Sequence, residues 1–226
     1  MNGKKAYPYP YPTHVMSNGF PPASELLKRG FDLVVSAIGL LLLLPFFLLI
    51  ALFIWLDSPG TIFFTQLRGG KGQKPFRIYK FRSMVADAEA QLAKVIHLNI
   101  HANELGDSRL YKIPGDPRVT GVGRFLRRYS LDELPQLINV LKGEMSLVGP
   151  CPLPLSEDQH VKGVAKLRAV VSPGITGLWQ VNGCNDIPFA DMMRLDCDYV
   201  ANWSFIGDLL LLLKTIPIVL RPQRDC

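Results

Sequence analysis

Asp132 and Glu133 stand side by side in the stretch SLDELPQLINVLKG, with Arg124, Arg127 and Arg128 just upstream. A helix N-terminus flanked by arginines makes an anion site, and an acidic pair inside it repels a phosphate unless a divalent cation bridges the two. Carboxylate, Mg²⁺ and arginine are the usual parts of phosphoryl-transfer sites. A carboxylate can also be the nucleophile, forming an acyl phosphate and splitting one displacement into two. The same residues admit a plainer role. Acids at a helix start offset its dipole by roughly a few tenths of a kcal/mol, and basic neighbours pair with them.

The elements that must position this pair follow from periodicity. Leu134, Leu137, Ile138 and Leu141 recur at helical spacing, predicting a helix to about Lys142 that Gly143 stops. Its start is marked twice. Ser130 and Glu133 have capping-box spacing, while Pro135 suits the first turn of a helix beginning slightly later.

Upstream, TIFFTQLRGGKGQKPFRIYKFRSM predicts a strand, a Gly turn and a second strand. Residues 58–86 carry six Lys or Arg (Arg68, Lys71, Lys74, Arg77, Lys80, Arg82) and no acid, equal to the whole net charge of +6. Each cation near an anionic leaflet contributes about 1 kcal/mol, so the segment reads mainly as a membrane-adhesive rim. Nucleic acid is the less fitting polyanion, because a bilayer segment adjoins. Residues 87–112 predict a polar, helical surface excursion, in which His97 and His101 lie four apart with no third ligand.

That bilayer segment is Leu33 to Leu56, 24 uncharged residues with ten Leu, three Ile and three Phe. A straight helix of that length reaches about 36 Å, enough for a bilayer core of roughly 30 Å. Pro45 sits at its centre, where it removes a backbone hydrogen bond, and basic residues flank both ends. The expectation is a re-entrant hairpin dipping into one leaflet, with both flanks cytoplasmic; a kinked spanning helix is the alternative. The C-terminal WSFIGDLLLLLKTIPIVL holds Asp208 and Lys214 and predicts a helix lying in the interface with Trp203 at headgroup depth.

Apolar residues make up 48% of the 226 and charged ones 19%, which excludes a disordered or collagen-like chain, and no internal repeat is present. Cys151, Cys184, Cys197 and Cys226 form no C-x-x-C pair, which fits a reduced compartment better than a disulfide framework or zinc site. The expected fold is mixed α/β and mostly helical: a monotopic membrane protein with a re-entrant membrane helix, interfacial helices and a small β-hairpin. Its parts are a Pro-rich tail over 1–24, the membrane hairpin over 25–57 and a cytoplasmic-face catalytic domain over 58–226.

These blocks together resemble the bacterial sugar transferases, the monotopic polyprenyl-phosphate phosphoglycosyl transferases. The resemblance runs from about Lys28 to Leu220 through KRGFDLVVSAIGLLLLLP, FRIYKFRSM, DPRVTGVGRFLRRYSLDELPQLINVLKGEMSLVGP, PGITGLWQVNG and LDCDYVANWSFIGDLLLLLKT. It implies transfer of a sugar 1-phosphate from a UDP-sugar to undecaprenyl phosphate at the inner membrane, releasing UMP at an early step of surface polysaccharide assembly. It implies Asp132 as the nucleophile that becomes a phosphosugar ester, and Glu133 with Asp132 as the Mg²⁺ site. It further implies Arg127 as a phosphate binder, Lys80 as a basic group reaching the site, Pro45 as the helix break, and Arg128, Arg168 and Asp196 as further phosphate- or substrate-binding residues.

Three positions depart from the family pattern: Cys151 and Cys184 stand where arginine is common, and Ser172 where a basic residue is. Arg118 or Arg124 could compensate. On the residues alone two other readings stand beside the transferase. One is a membrane-surface adaptor; the other is a transferase using the Asp196-x-Asp198 pair and releasing UDP.

Overall fold

The computed structural model describes residues 20–99, 113–183 and 188–220. The molecule is mixed α/β and mostly helical, and one long helix runs against the rest of the fold.

Helix α1 spans Pro22–Asp57. Pro22 stands at the start of the helix, where a missing N–H costs nothing. The N-terminal tail therefore gives way to helix two residues before Ser24, and Phe20 is already buried, stacked on Trp203 with ring centroids 4.2 Å apart. One stripe of α1 is buried, at Lys28, Asp32, Ser36, Phe47, Ile50 and Ile54. Successive members are mostly three or four residues apart, with Gly39, Leu40 and Leu43 filling the middle, so the stripe keeps to one face. The rest is bare: Leu41 and Leu42 are each 73% exposed and Trp55 61%. The expected break at Pro45 is not seen, because Pro22 to Asp57 form one continuous helix with Pro45 inside it. The proline still leaves the Leu41 carbonyl without a helical donor. By length and apolarity α1 is long enough to cross a membrane.

Strands β1 (Phe63–Gly69) and β2 (Pro75–Phe81) form the expected antiparallel hairpin. The six cations of this region divide. Lys71, Lys74 and Arg77 are exposed, as a rim requires, whereas Arg82 is buried and Arg68 and Lys80 are half-buried on the inner side. The polar excursion that follows is not one helix. Among the described residues it holds a single turn, α2 (Leu92–Val95), and a 3₁₀ turn at Ile96–Leu98. His97 lies there, while His101 is outside the described residues.

Helix α3 (Gly121–Arg128) is capped by Thr120, whose hydroxyl accepts from the Gly123 amide at 3.0 Å. A 3₁₀ turn (Leu131–Glu133) leads to α4 (Gln136–Lys142), with Pro135 at its N-cap. Gly143 ends α4 at φ 83°, a left-handed value suited to glycine. The capping box is not formed: Ser130 is itself left-handed, at φ 53°, and its hydroxyl caps nothing. That residue turns the chain so that α3 and α4 are separate helices.

A second sheet was not legible beforehand. β3 (Ser146–Val148) and β4 (Gly174–Thr176) pair in parallel, and between them lie α5 (Leu155–Asp158) and a 3₁₀ segment at Gly163–Val170. Then come α6 (Leu178–Val181), α7 (Phe189–Ala201) and α8 (Phe205–Leu220). Trp203 is held by protein on one side, its indole N–H donating to Asp208 at 3.0 Å. α8 buries Asp208 and Leu211 but leaves Ile206, Leu213 and Leu220 more than 60% exposed, so it is neither a core helix nor free of the core.

Candidate active site

The 3₁₀ turn carrying Asp132 and Glu133 is fixed from below by its own leucines. Leu131 and Leu134 pack on the cluster of Phe47, Ile50 and Ile54 from α1, Phe81 from β2 and Leu126 from α3. The acidic pair is thereby seated directly on the apolar helix. Its polar side opens into a cavity of about 1530 Å³ lined by Lys80, Arg127, Asp132, Glu133 and Gln136, among others.

The hairpin delivers the first cation. Asn139 of α4, fully buried, accepts from the Tyr79 amide at 3.0 Å and donates to the Arg77 carbonyl and Glu144 at 2.7 Å each. That clasp fixes β2 on α4, and Lys80 Nζ then stands 2.5 Å from Glu133 Oε1. Arg127, from the last turn of α3, donates through Nε to Ser83 Oγ at 2.8 Å. Gly123 permits this approach, because a Cβ there would collide with the Ser83 carbonyl.

Burial pushes the Asp132 carboxyl above the ordinary carboxylate range; Lys80 and Arg127 pull it down and Glu133 pushes it further up. Burial alone would lower Lys80, but the Glu133 and Asp132 carboxylates outweigh it and hold the ammonium above its usual value. The site therefore combines a carboxylate of raised basicity with two fixed cations, an arrangement chemically able to bind a phosphate and present an oxygen to its phosphorus.

Of the expected site residues, Lys80, Arg127, Asp132 and Glu133 come together. Arg124, exposed in the middle of α3, lines the cavity, while Arg128 is exposed and is not part of the lining. Arg168 and Asp196 form a separate buried pair, Nη2 to Oδ2 at 3.0 Å, with Arg168 also bonded to the Cys151 carbonyl and facing Asp158 at 3.5 Å. Burial lifts Asp196 to about 6 despite that arginine. Arg118 is clamped on Asp116 through Nε at 2.9 Å and Nη2 at 2.6 Å, which removes it as a stand-in for missing arginines. Cys151 lines the cavity with its thiol pushed up to about 12 by burial, so it is neutral there. Ser172 is half-buried, and Cys184 lies outside the described residues. Ser83, Asn139 and Gln136 were missed. Asn139 had left a signal, as an amide inside the apolar run LINVL.

For a divalent cation the donor set fits Mg²⁺. Asp132 and Glu133 supply two carboxylates from one turn, and Mg²⁺ takes one or two such ligands and completes its shell with water and substrate phosphate. Among the described residues no group of three or more His, Cys, Asp or Glu side chains gathers as for an all-protein metal cage.

Comparison with known proteins defines the class. The chain matches the bacterial sugar transferase family over residues 23–222, and it belongs to that family. It is 40% identical over 198 residues to the exopolysaccharide production protein ExoY of Rhizobium meliloti, covering 88% of this chain and 87% of that one. It is 41% identical to the UDP-glucose:undecaprenyl-phosphate glucose-1-phosphate transferase of Caulobacter vibrioides, over 88% and 71% of the two chains. With the undecaprenyl-phosphate galactose phosphotransferase of Salmonella typhimurium it shares 39% identity, over 92% of this chain and 43% of that one.

Proposed function

We propose that this protein moves a sugar 1-phosphate from a UDP-sugar to undecaprenyl phosphate, at an early step of exopolysaccharide or related glycoconjugate assembly. The observation that carries it is the seating of Asp132 and Glu133, under Lys80 and Arg127, on the apolar helix itself. An acidic pair that merely capped a helix would need neither the cavity nor the half-buried lysine.

In the reading proposed, an Asp132 carboxylate oxygen attacks the sugar-bearing phosphorus while Arg127 and Lys80 face the phosphate oxygens. The bond from that phosphorus to UMP breaks, and UMP leaves with the electron pair. An oxygen of undecaprenyl phosphate then attacks the same phosphorus, freeing the carboxylate and forming the lipid diphosphate-sugar. Mg²⁺, held by Glu133 and Asp132, would neutralise charge on the phosphates. Glu133 is paired with Lys80, so cation binding competes with that ion pair.

The membrane arrangement proposed is monotopic, on the cytoplasmic face of the inner membrane. Both ends of α1 are fastened to the same folded body: Lys28 to Asp208 of α8 at 2.5 Å, and Asp57 to the Val122 amide of α3 at 2.9 Å. A helix tied at both ends to one domain favours re-entry over crossing, and the Leu41 carbonyl that Pro45 leaves without its donor weakens the helix at its middle.

The test is UMP release by purified protein in nanodiscs, across a panel of UDP-sugars with undecaprenyl phosphate and Mg²⁺. UMP formed with one donor, with a lipid diphosphate-sugar as the second product, supports the reading. UDP as product, or no turnover with any donor, refutes it.

A further inference from the structure

Arg68 belongs to the stretch that reads as a lipid-facing rim, yet the hairpin turns it the other way. In the register of β1 and β2, Phe64 pairs with Lys80, Gln66 with Ile78 and Arg68 with Phe76. Directly paired residues share a sheet face, so Arg68 stands on the same face as Lys80. Both side chains line the cavity that holds Asp132 and Glu133.

What surrounds Arg68 does not match its charge. Its Nη1 donates to the Pro152 carbonyl at 2.9 Å, and its buried Nε has no partner. Among the described residues no carboxylate forms an ion pair with it, whereas the buried Arg118 and Arg168 each have one. Burial holds its guanidinium below the usual arginine range, and the nearby Cys151, Glu157 and Glu133 counter this only in part. A cation kept from water without a counter-ion costs stability unless an anion completes it.

Further polar atoms along this wall point to the kind of anion. Leu153, next to Pro152, packs against Trp179, and both line the cavity. Trp179 is 8% exposed with Nε1 unpartnered, and Oε1 of the adjacent Gln180 also lacks a partner. One is a donor and the other an acceptor. A phosphate whose far side carries hydrogen-bonding groups meets this wall; a phosphate on a hydrocarbon chain does not.

We infer that Arg68 binds a phosphate of the nucleotide-sugar donor, on a wall that Trp179 and Gln180 extend toward the polar remainder of that donor. This rests on the transferase reading above and assigns one residue's part in it.

The experiment compares wild type, Arg68→Met and Arg68→Lys, all in nanodiscs. Donor and acceptor KM are measured separately, and thermal stabilisation by UMP is followed as a readout free of turnover. Arg68→Met is expected to raise donor KM at least about tenfold, leave acceptor KM within about twofold, and abolish the UMP-induced rise in Tm. Arg68→Lys, which keeps the charge but not the fork, falls between the two. Its Tm without nucleotide shows that the fold survives. A raised acceptor KM with donor KM unchanged overturns the assignment, as does wild-type behaviour of both variants. If wild type turns over no donor, the transferase reading falls, and the UMP shift still reads Arg68: equal shifts in wild type and Arg68→Met sink its role too.

Discussion

Lys80 Nζ lies 2.5 Å from Glu133 Oε1, so a hairpin strand and the turn bearing Asp132 are joined by an ion pair inside the cavity. The pair sets two things at once. It fixes where Glu133 points, and it places a positive charge beside Asp132, whose carboxyl pKa burial pushes up and the lysine pulls down.

The second effect gives a pH prediction. Asp132 must be ionised to act as a nucleophile, burial raises its pKa, and Lys80 and Arg127 are the groups that lower it. Removing the lysine charge lets the pKa climb further. Lys80→Met should therefore lower kcat/KM by about a hundredfold or more, and the rate should begin to fall at a higher pH on acidification than in wild type. Lys80→Arg should keep the acid limb near the wild-type position. Full pH–rate profiles of the three proteins decide it, and an unmoved limb in Lys80→Met would show that the lysine does not tune Asp132.

Asp132→Asn separates activity from stability. Transfer should drop at least about a thousandfold, because the amide cannot form the ester. Stability should move the other way. A carboxyl whose folded pKa lies above its unfolded value contributes most below the unfolded pKa and loses that contribution as pH rises through the folded one. At pH 7 the charged, buried Asp132 is a burden that the amide relieves. Tm should rise by about 2–4 °C for each kcal/mol recovered, and the gain should vanish near pH 3, where wild-type Asp132 is protonated as well. A lower Tm for Asp132→Asn at pH 7 would mean that the carboxylate is structurally required.

Local pattern carried much of the architecture. The helix from about residue 134 and its stop at Gly143, the hairpin around GGKG, and the long apolar helix all rest on periodicity or turn chemistry within one segment. What stayed hidden depends on distant partners. β3 and β4 are three residues each and meet only across the intervening α5 and 3₁₀ segment. The spacing of Ser130 suits a cap, yet Leu131 and Leu134 both reach the cluster on α1 and the chain bends at Ser130 instead. In the site, four motif residues converged, while Arg68 was masked by the general basicity of its stretch. Side chains on one face of a strand are told apart from those on the other only once the pairing register is known.

Arg168 and Asp196 give a sharper division between chemistry and framework. They are 5% and 1% exposed and bonded to each other. Arg168→Met leaves an acid buried without its cation and should cost roughly 3–5 kcal/mol; adding Asp196→Leu should restore much of that. A phosphate-binding role for Arg168 predicts instead a fold close to wild type and a raised donor KM. Asp196, with its pKa near 6, also predicts a pH signature. Its contribution to stability is full below about pH 4 and is lost as pH rises through about 6, a change on the order of 3 kcal/mol. Chemical denaturation at pH 4.5 and 7 in wild type and Asp196→Asn reads that change directly, and identical pH slopes would exclude it.

The attachment of α1 at both ends leads to a topological outcome. If Lys28–Asp208 and Asp57–Val122 hold in the membrane, residues before and after the apolar helix cannot face opposite aqueous compartments. Native Cys226 and a cysteine introduced by Ser17→Cys should then react with an impermeant maleimide from the same side: blocked in intact cells and both labelled in inverted vesicles. Each is scored in a protein whose remaining cysteines are serine, since Cys151 lines the cavity and is only partly buried. Replacing Pro45 by leucine restores the donor to the Leu41 carbonyl but leaves both attachments in place, so the Ser17→Cys site should stay on the same side in that background. Opposite-side labelling in the parent protein would mean that one of the two attachments is broken in the bilayer, and Lys28→Met would then leave the labelling unchanged.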